Sequence, residues 1–201
     1  MGLLLDAAHV WDELCKISYT IVLGHKGSLS EINLSFEAAD LPHLVGMQYA
    51  RDVDFGLRPA EYYGANLLDA VLNGRLNESL ICNAREWPRI EGRLNAIINM
   101  RNTLSGDFEI ARFNPKKVHG SCNINAEYVI KNQRSGQIFF VFLDSERGRY
   151  YCKSAFRNEY IDYMRFQTRM TVLSVTKHDS SGSEPLYRRA GFPVGSINED
   201  L

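Results

Sequence analysis

The chain has 201 residues, of which 45% are hydrophobic, and its formal net charge is −1. This composition is ordinary for a globular fold, of one generous domain or a domain with an elaborate cap. No apolar run approaches the roughly 18 residues of a membrane-spanning helix. Acidic residues interrupt the N-terminal segment, so it does not match a signal peptide. We therefore expect a cytoplasmic protein with no membrane partner.

The four cysteines are scattered along the chain and form no CxxC pair; they are Cys15, Cys82, Cys122 and Cys152. Without close pairs or a histidine-rich partner segment, this spacing does not predict a zinc site. We expect reduced thiols, no structural metal and no cofactor.

Charge is distributed unevenly along the sequence. Residues 1–100 contain 8 Lys/Arg and 13 Asp/Glu, whereas residues 101–177 contain 13 Lys/Arg and 7 Asp/Glu. Such asymmetry indicates a polyanionic partner. The alternative is that the charges average out on the folded surface.

Helical and extended segments alternate in the first half. An amphipathic pattern at residues 3–16 predicts a helix, since Leu4, Ala7, Ala8 and Trp11 recur at helical spacing. The following elements are a strand at 19–23, a strand at 30–36, a helix from Pro42 that ends by Gly56, a helix over 60–72 and a helix over 84–104.

The second half changes to the period-two pattern of strands. Residues 138–143 are apolar on both faces, which is typical of a central strand covered on each side. Further strands are predicted at 108–113, 123–130, 149–154 and 170–177, with a short helical stretch at 158–166. The order predicts an α+β fold with an antiparallel meander and helices packed on one face.

One domain is expected over residues 1–178. Within it, we interpret residues 59–104 as a helical insertion or cap. The Ser/Gly/Pro-rich residues 179–201 are predicted to form a loose tail.

The segment around His43 is the strongest candidate for chemistry. Asp40 can accept hydrogen bonds from the first turn of the helix, and Pro42 suits a position that needs no N–H donor. The field of the helix N-terminus then favours a neutral imidazole at His43, and hence a general base. The alternative is that His43 only packs against or caps the helix.

Several short motifs occur in an order that resembles the phage–barnase–EndoU–colicin–RelE (PBECR) group of nuclease domains, specifically the type with His-Leu-x-Gly after the second strand. The matching residues are Pro42-His43-Leu44-Val45-Gly46, 126–130, 139–143, Tyr151-Cys152-Lys153-Ser154-Ala155-Phe156 and 172–177. The resemblance covers most of residues 17–178. It implies an antiparallel twisted sheet of the barnase/EndoU/RelE type, with helices packed on one face. It also implies RNA cleavage without a metal and an association with phages and mobile elements.

Metal-independent RNA cleavage needs a base for the 2′-hydroxyl, an acid for the 5′-oxygen and fixed positive charge near the phosphate. We assign His43 as the base or acid. Arg112 and Lys177 are candidates for the positive charge. Ser154 is a candidate hydrogen-bond donor to a phosphate oxygen, although small hydroxyls are also common fillers in sheets.

Two further groups are candidates for nucleic-acid binding. Arg149, Tyr151 and Lys153 form a basic–aromatic–basic stripe at period two, which could stack a base and hold its phosphates. Lys116 and Lys117 form a basic loop after Pro115. The alternative for both groups is a solvated surface.

The sequence thus predicts a metal-independent endoribonuclease that acts on RNA as a toxin or conflict effector of a phage or mobile element, with a protein inhibitor or antitoxin as a candidate partner. Two alternatives stay open. One is a catalytically inactive relative that binds RNA or a protein, and the other is a transferase on an α+β scaffold.

Overall fold

The computed structural model describes residues 2–106, 108–120, 122–134, 136–158 and 160–193. Its helices are α1 (Leu3–Leu14), α2 (Leu41–Val45), α3 (Asn66–Leu72), α4 (Glu78–Ile81), α5 (Trp87–Ile98) and α6 (Met100–Thr103). Its strands are β1 (Ser18–His25), β2 (Ser28–Ser35), β3 (Glu109–Arg112), β4 (Tyr128–Arg134), β5 (Gln137–Glu146), β6 (Arg149–Arg157), β7 (Thr168–Asp179) and β8 (Gly182–Arg188).

The helix that carries His43 is much shorter than predicted. It ends at Gly46, whose φ of 93° lies in the left-handed region, and glycine commonly ends helices in this way. The predicted helix over 60–72 is confirmed only from Asn66 onward, and the predicted helix over 84–104 is divided at Asn99. No helix forms in the described part of residues 158–166, where the chain makes turns.

The strands form a closed barrel rather than the simple twisted sheet that the sequence predicts. Around the ring, the order is β1-β2-β6-β5-β4-β3-β7, and β7 pairs with β1 to complete the circle. The expected antiparallel pairing holds everywhere except between β2 and β6, which are parallel and joined at Leu34 and Tyr150. The prediction failed here because β1 uses both of its edges.

The C-terminal part of the fold extends further than predicted. Residues 182–188 form β8, which pairs antiparallel with β7 outside the ring. The loose tail predicted from residue 179 is therefore wrong for this segment, while residues 194–201 lie outside the described part of the chain.

Alternating side chains of the central strands belong to two different hydrophobic clusters. Phe139, Val141 and Leu143 of β5 join the larger cluster, which also contains Trp11 of α1 and residues of α3 and α5. Phe140 and Phe142 point to the opposite face and join a smaller cluster. This division explains why β5 is apolar on both faces.

The helices within residues 59–104 share the larger core with the N-terminal helix and the strands. Ile90, Leu94 and Ile97 of α5 are fully buried in that core. Helix α5 packs against both α1 and β6. Among the residues that the structure describes, no helix combines the length and apolar character needed to cross a bilayer.

Candidate active site

A cleft of about 810 Å³ lies where α5 faces β6. His43 and Tyr49 line one part of it, and the segment 122–125 together with Asn158, Tyr160 and Tyr163 contributes to the rest. Clefts of this size, lined by aromatic side chains and converging polar groups, are typical of ligand sites.

His43 is exposed in this cleft and keeps both ring nitrogens available. In the described ranges, the imidazole has no hydrogen-bond partner, whereas the backbone carbonyl of His43 accepts from Nε2 of Gln48. Partial burial of the ring lowers the pKa of His43, and the charges of Arg93 and Lys153 lower it further. A neutral imidazole with a free nitrogen can accept a proton.

The cause of this shift differs from the predicted one. Helix α2 has only five residues, and the side chain of Asp40 makes no capping hydrogen bond. Instead, one oxygen of Asp40 is buried without a partner, and burial raises the pKa of its carboxyl. The predicted cap is therefore wrong, whereas Pro42 does lie in the first turn as expected.

Arg93 of α5 is the most unusual residue of the cleft, because its cation is buried. Only 9% of the residue is exposed. Its Nη1 donates to the backbone oxygen of Leu44 at 3.3 Å and to Oγ of Ser154 at 3.4 Å. The guanidinium carbon lies 5.3 Å from the ring centroid of Tyr49 and 5.7 Å from that of Phe156. Arg93 thus joins α2 to β6.

No carboxylate of the described segments lies within ion-pair distance of Arg93. Buried arginines are normally paired, since an isolated buried charge is costly. Burial lowers the pKa of Arg93, but a guanidinium remains charged in proteins. The residue therefore provides a desolvated cation whose opposite charge is still to be supplied.

Gly46 makes this arrangement possible. A Cβ at this position would lie 2.9 Å from Cδ of Arg93 and 2.9 Å from Cδ2 of Tyr49. Together with the φ of 93°, this crowding explains why a glycine follows the His43 helix. A larger residue would displace Arg93 from the side of α2.

A β-bulge in β6 brings two neighbouring side chains to the cleft. Phe142 pairs with Ser154, but the next residue, Leu143, pairs with Cys152, so Lys153 is an extra residue in the ladder. Paired residues share a face of the sheet. Ser154 therefore shares a face with Phe142, whereas Cys152 joins the opposite core. Bulges of this kind often occur beside active sites.

Lys153 lines the cleft as the second fixed cation. Its Nζ bonds Oδ2 of Asp144 at 2.6 Å, and this hydrogen bond raises the pKa of the ammonium. The group is therefore protonated at neutral pH. Its side chain is 34% exposed, so a ligand in the cleft can reach it.

The charges that line the cleft are mostly positive. Among the described residues that line it, four are cationic and one is a carboxylate; they are Arg89, Arg93, Lys153, Arg157 and Glu91. Arg89 also pairs with Glu86 at 3.1 Å. An excess of positive charge in a concave site concentrates anionic ligands there.

Of the predicted site residues, His43, Lys153 and Ser154 are brought together. The other six lie outside the lining of this cleft; they are Arg112, Lys116, Lys117, Arg149, Tyr151 and Lys177. Lys177 bonds Glu184 and Asp179, and Arg149 forms an ion pair with Glu37. Arg112, Lys116 and Lys117 are exposed elsewhere on the surface.

Arg93 was not predicted from the sequence, although a signal for it exists. It lies three residues after Ile90 and four before Ile97, on the buried stripe of α5. Residues at these spacings share one face of a helix. A cation on the apolar face of an amphipathic helix indicates a buried charge, and hence a candidate site.

In the described part of the chain, no group of three or more His, Cys, Asp and Glu side chains lies together in a way that could hold a metal ion.

Comparison with family models identifies a nuclease family. The model described as phage-Barnase-EndoU-ColicinE5/D-RelE like nuclease4 (PBECR4) matches residues 3–184. All lining residues of the cleft lie inside the matched range. Searches of curated proteins and of solved structures found no match.

Proposed function

Because the chain belongs to the PBECR4 nuclease family, we propose that it is an endoribonuclease that cleaves RNA without a metal ion. The observation that carries this proposal is the buried, carboxylate-free Arg93 beside the exposed His43. A phosphodiester would supply the missing negative charge, and it would place a ribose next to the imidazole.

In the proposed reaction, neutral His43 removes the proton of the ribose 2′-hydroxyl. The 2′-oxygen attacks the phosphorus, the bond to the 5′-oxygen breaks, and the leaving oxygen takes a proton from solvent. The products are a 2′,3′-cyclic phosphate and a 5′-hydroxyl. A positioned base of this kind contributes about 10²–10⁴-fold.

Two cations are proposed to stabilise the negative charge that develops on the phosphate. Arg93 is held by Leu44 and Ser154, and Lys153 is held by Asp144. Both groups are thus oriented before the substrate binds, and such preorganised charge stabilises a transition state without further reorganisation. Ser154 takes the role of a positioning residue, because its Oγ accepts from Arg93.

The test is cleavage of a short RNA in the presence of EDTA. We expect 2′,3′-cyclic phosphate ends, and no cleavage at a linkage whose 2′-hydroxyl is replaced by hydrogen. His43→Ala should lower the rate by about 10²–10⁴-fold. His9→Ala is the matched control, since His9 is an exposed histidine of α1 outside the cleft.

A requirement for a divalent ion, or cleavage at the 2′-deoxy linkage, would show that the proposed mechanism is wrong. Salt-dependent RNA binding without cleavage would instead favour the inactive RNA-binding relative.

We also propose that this activity serves a phage or mobile element as a toxin or conflict effector, restrained by a protein inhibitor. Expression of the wild-type protein should then arrest growth of host cells, whereas His43→Ala should not. Equal growth with both proteins would overturn this role and leave the chemistry to the RNA assay.

A further inference from the structure

Tyr160 is 97% exposed, yet it lines the same cleft as His43 and Arg93. A tyrosine ring offers a large apolar surface that folding normally buries. In the same segment, Tyr163 is buried against Phe140 and Phe142. Phe166 is also exposed, but it lies outside the cleft, so Tyr160 is the exposed aromatic residue of this segment that a ligand in the cleft can reach.

The turn that carries Tyr160 is fixed by hydrogen bonds. Oδ1 of Asn158 accepts from the backbone N–H of Tyr160 at 2.7 Å and from that of Ile161 at 3.2 Å. Two residues further on, the buried Tyr163 anchors the segment to the core. Because the backbone is already ordered, the ring can receive a flat ligand at little entropic cost.

Two amides on the neighbouring segment complete the surface. Asn123 and Asn125 are exposed and line the cleft, and neither side chain has a hydrogen-bond partner within the described ranges. Each amide offers donors and an acceptor. Such groups suit the polar edge of a nucleobase, whereas a bare phosphate needs donors alone.

We propose that Tyr160 is a base-stacking residue and that the substrate of this cleft is single-stranded RNA, with an unpaired base on the Tyr160 ring next to the cleaved phosphate. The proposal rests on the proposed function for the identity of the nucleic acid. A paired base has both faces covered by its neighbours, whereas an unpaired base can stack on an aromatic side chain.

The experiment measures binding with the full-length His43→Ala protein, which should leave RNA uncut. The probe is a short single-stranded RNA that contains one 2-aminopurine, whose fluorescence falls when it stacks. On this background we compare Tyr160→Ala, Tyr160→Phe and Phe166→Ala. Phe166 is the matched control, because it is 68% exposed in the same segment but lies outside the cleft.

We expect Tyr160→Ala to weaken binding by about 5- to 150-fold, as stacking on one aromatic ring contributes about 1–3 kcal/mol per base. It should also remove the quenching. Tyr160→Phe should retain both signals, and Phe166→Ala should change neither. In the protein with His43 intact, Tyr160→Ala should raise KM with kcat nearly unchanged, and a duplex of the same sequence should be a poor substrate.

The outcomes separate the two proposals. Tyr160-dependent quenching without cleavage by the wild type would support the stacking site and overturn the nuclease mechanism. Cleavage that is unaffected by Tyr160→Ala, or equal cleavage of single strand and duplex, would overturn the stacking site and leave the mechanism standing. An equal effect of Phe166→Ala would also overturn it.

Discussion

The Lys177–His178 region of β7 and the cleft each place a histidine near a lysine, and their surroundings differ in one respect. On β7, Nζ of Lys177 lies 2.6 Å from Glu184 and 3.2 Å from Asp179. Both ring nitrogens of the adjacent His178 are engaged, by Thr20 at 2.9 Å and by Ser183 at 2.7 Å. In the cleft, by contrast, the ring of His43 has no partner and Arg93 has no carboxylate within the described residues.

The difference shows that residue type does not by itself identify the site. In the Lys177–His178 region, the charged and hydrogen-bonding groups already have partners within the protein, so a ligand would supply no missing interaction. The cleft leaves a desolvated cation and a neutral base unsatisfied, and a bound phosphodiester would relieve both. The two regions therefore differ in whether their charges and hydrogen-bonding groups have partners, and not in whether they contain basic residues.

The most direct test of this comparison is to remove the cation of Arg93. Arg93→Met should lower the cleavage rate by about 10²–10³-fold, the usual loss for one preorganised transition-state donor. Its melting temperature should stay equal to that of the wild type or rise, because a buried charge without a partner is costly. Lys177→Met is the control. Its cleavage rate should stay within about twofold of the wild-type rate, which is a smaller change than the loss expected for a transition-state donor.

Retained cleavage in Arg93→Met would contradict the comparison. A cooperative unfolding curve, measured by circular dichroism, separates a lost site from a lost fold.

A smaller effect is expected from the hydroxyl that holds Arg93. Ser154→Ala removes the acceptor at 3.4 Å from Nη1 and should lower the rate by about 2- to 10-fold, in keeping with one net hydrogen bond. Ser183→Ala makes the equivalent change beside His178 and should have no effect on cleavage. Equal effects of the two variants would remove the distinction between the two regions.

The smallest expected effect is on the pH profile. His43 must be neutral to act as a base, so kcat/KM should rise with pH through the His43 pKa and then level off. Burial, Arg93 and Lys153 lower that pKa, so the rise should occur at lower pH than for an unperturbed imidazole. Lys153→Met removes one of these charges, and the rising limb should move to higher pH.

Titration of the His43 ring by NMR gives the same shift directly. Lys116→Met, which removes an exposed cation outside the cleft, is the control. If the rising limb of the kcat/KM profile of Lys153→Met stays in place or moves to lower pH, the charge of Lys153 does not act on His43.

The sequence predicts local features of this protein better than long-range ones. The short motifs indicated the family, and α1 was predicted almost to its ends because its apolar spacing is regular. His43 and Ser154 were both selected, and both line the cleft. Local chemistry is sufficient for such features, since a histidine after a proline or a hydroxyl in a strand is visible in a short window.

The remaining features depend on contacts between distant segments. Closure of the barrel rests on β1 pairing with β7 and on one parallel bridge between Leu34 and Tyr150, which no strand pattern reveals. The choice of Lys177 for the site failed to anticipate its partner Glu184, because β8 lies in the predicted tail. Arg93 was missed because only the apolar residues of the buried stripe of α5 were considered, and a cation on that stripe becomes informative only once its neighbours on α2 and β6 are known.

The extra residue in β6 means that the chemistry depends on chain length as well as on residue identity. Loss of Ala155 would restore the regular alternation of the strand, place Ser154 opposite Val141 and turn its hydroxyl toward the larger core. A relative could thus keep every cleft side chain and still be silenced by a single-codon deletion. Conversely, a family member without this insertion would have to deliver its second cation from a different strand.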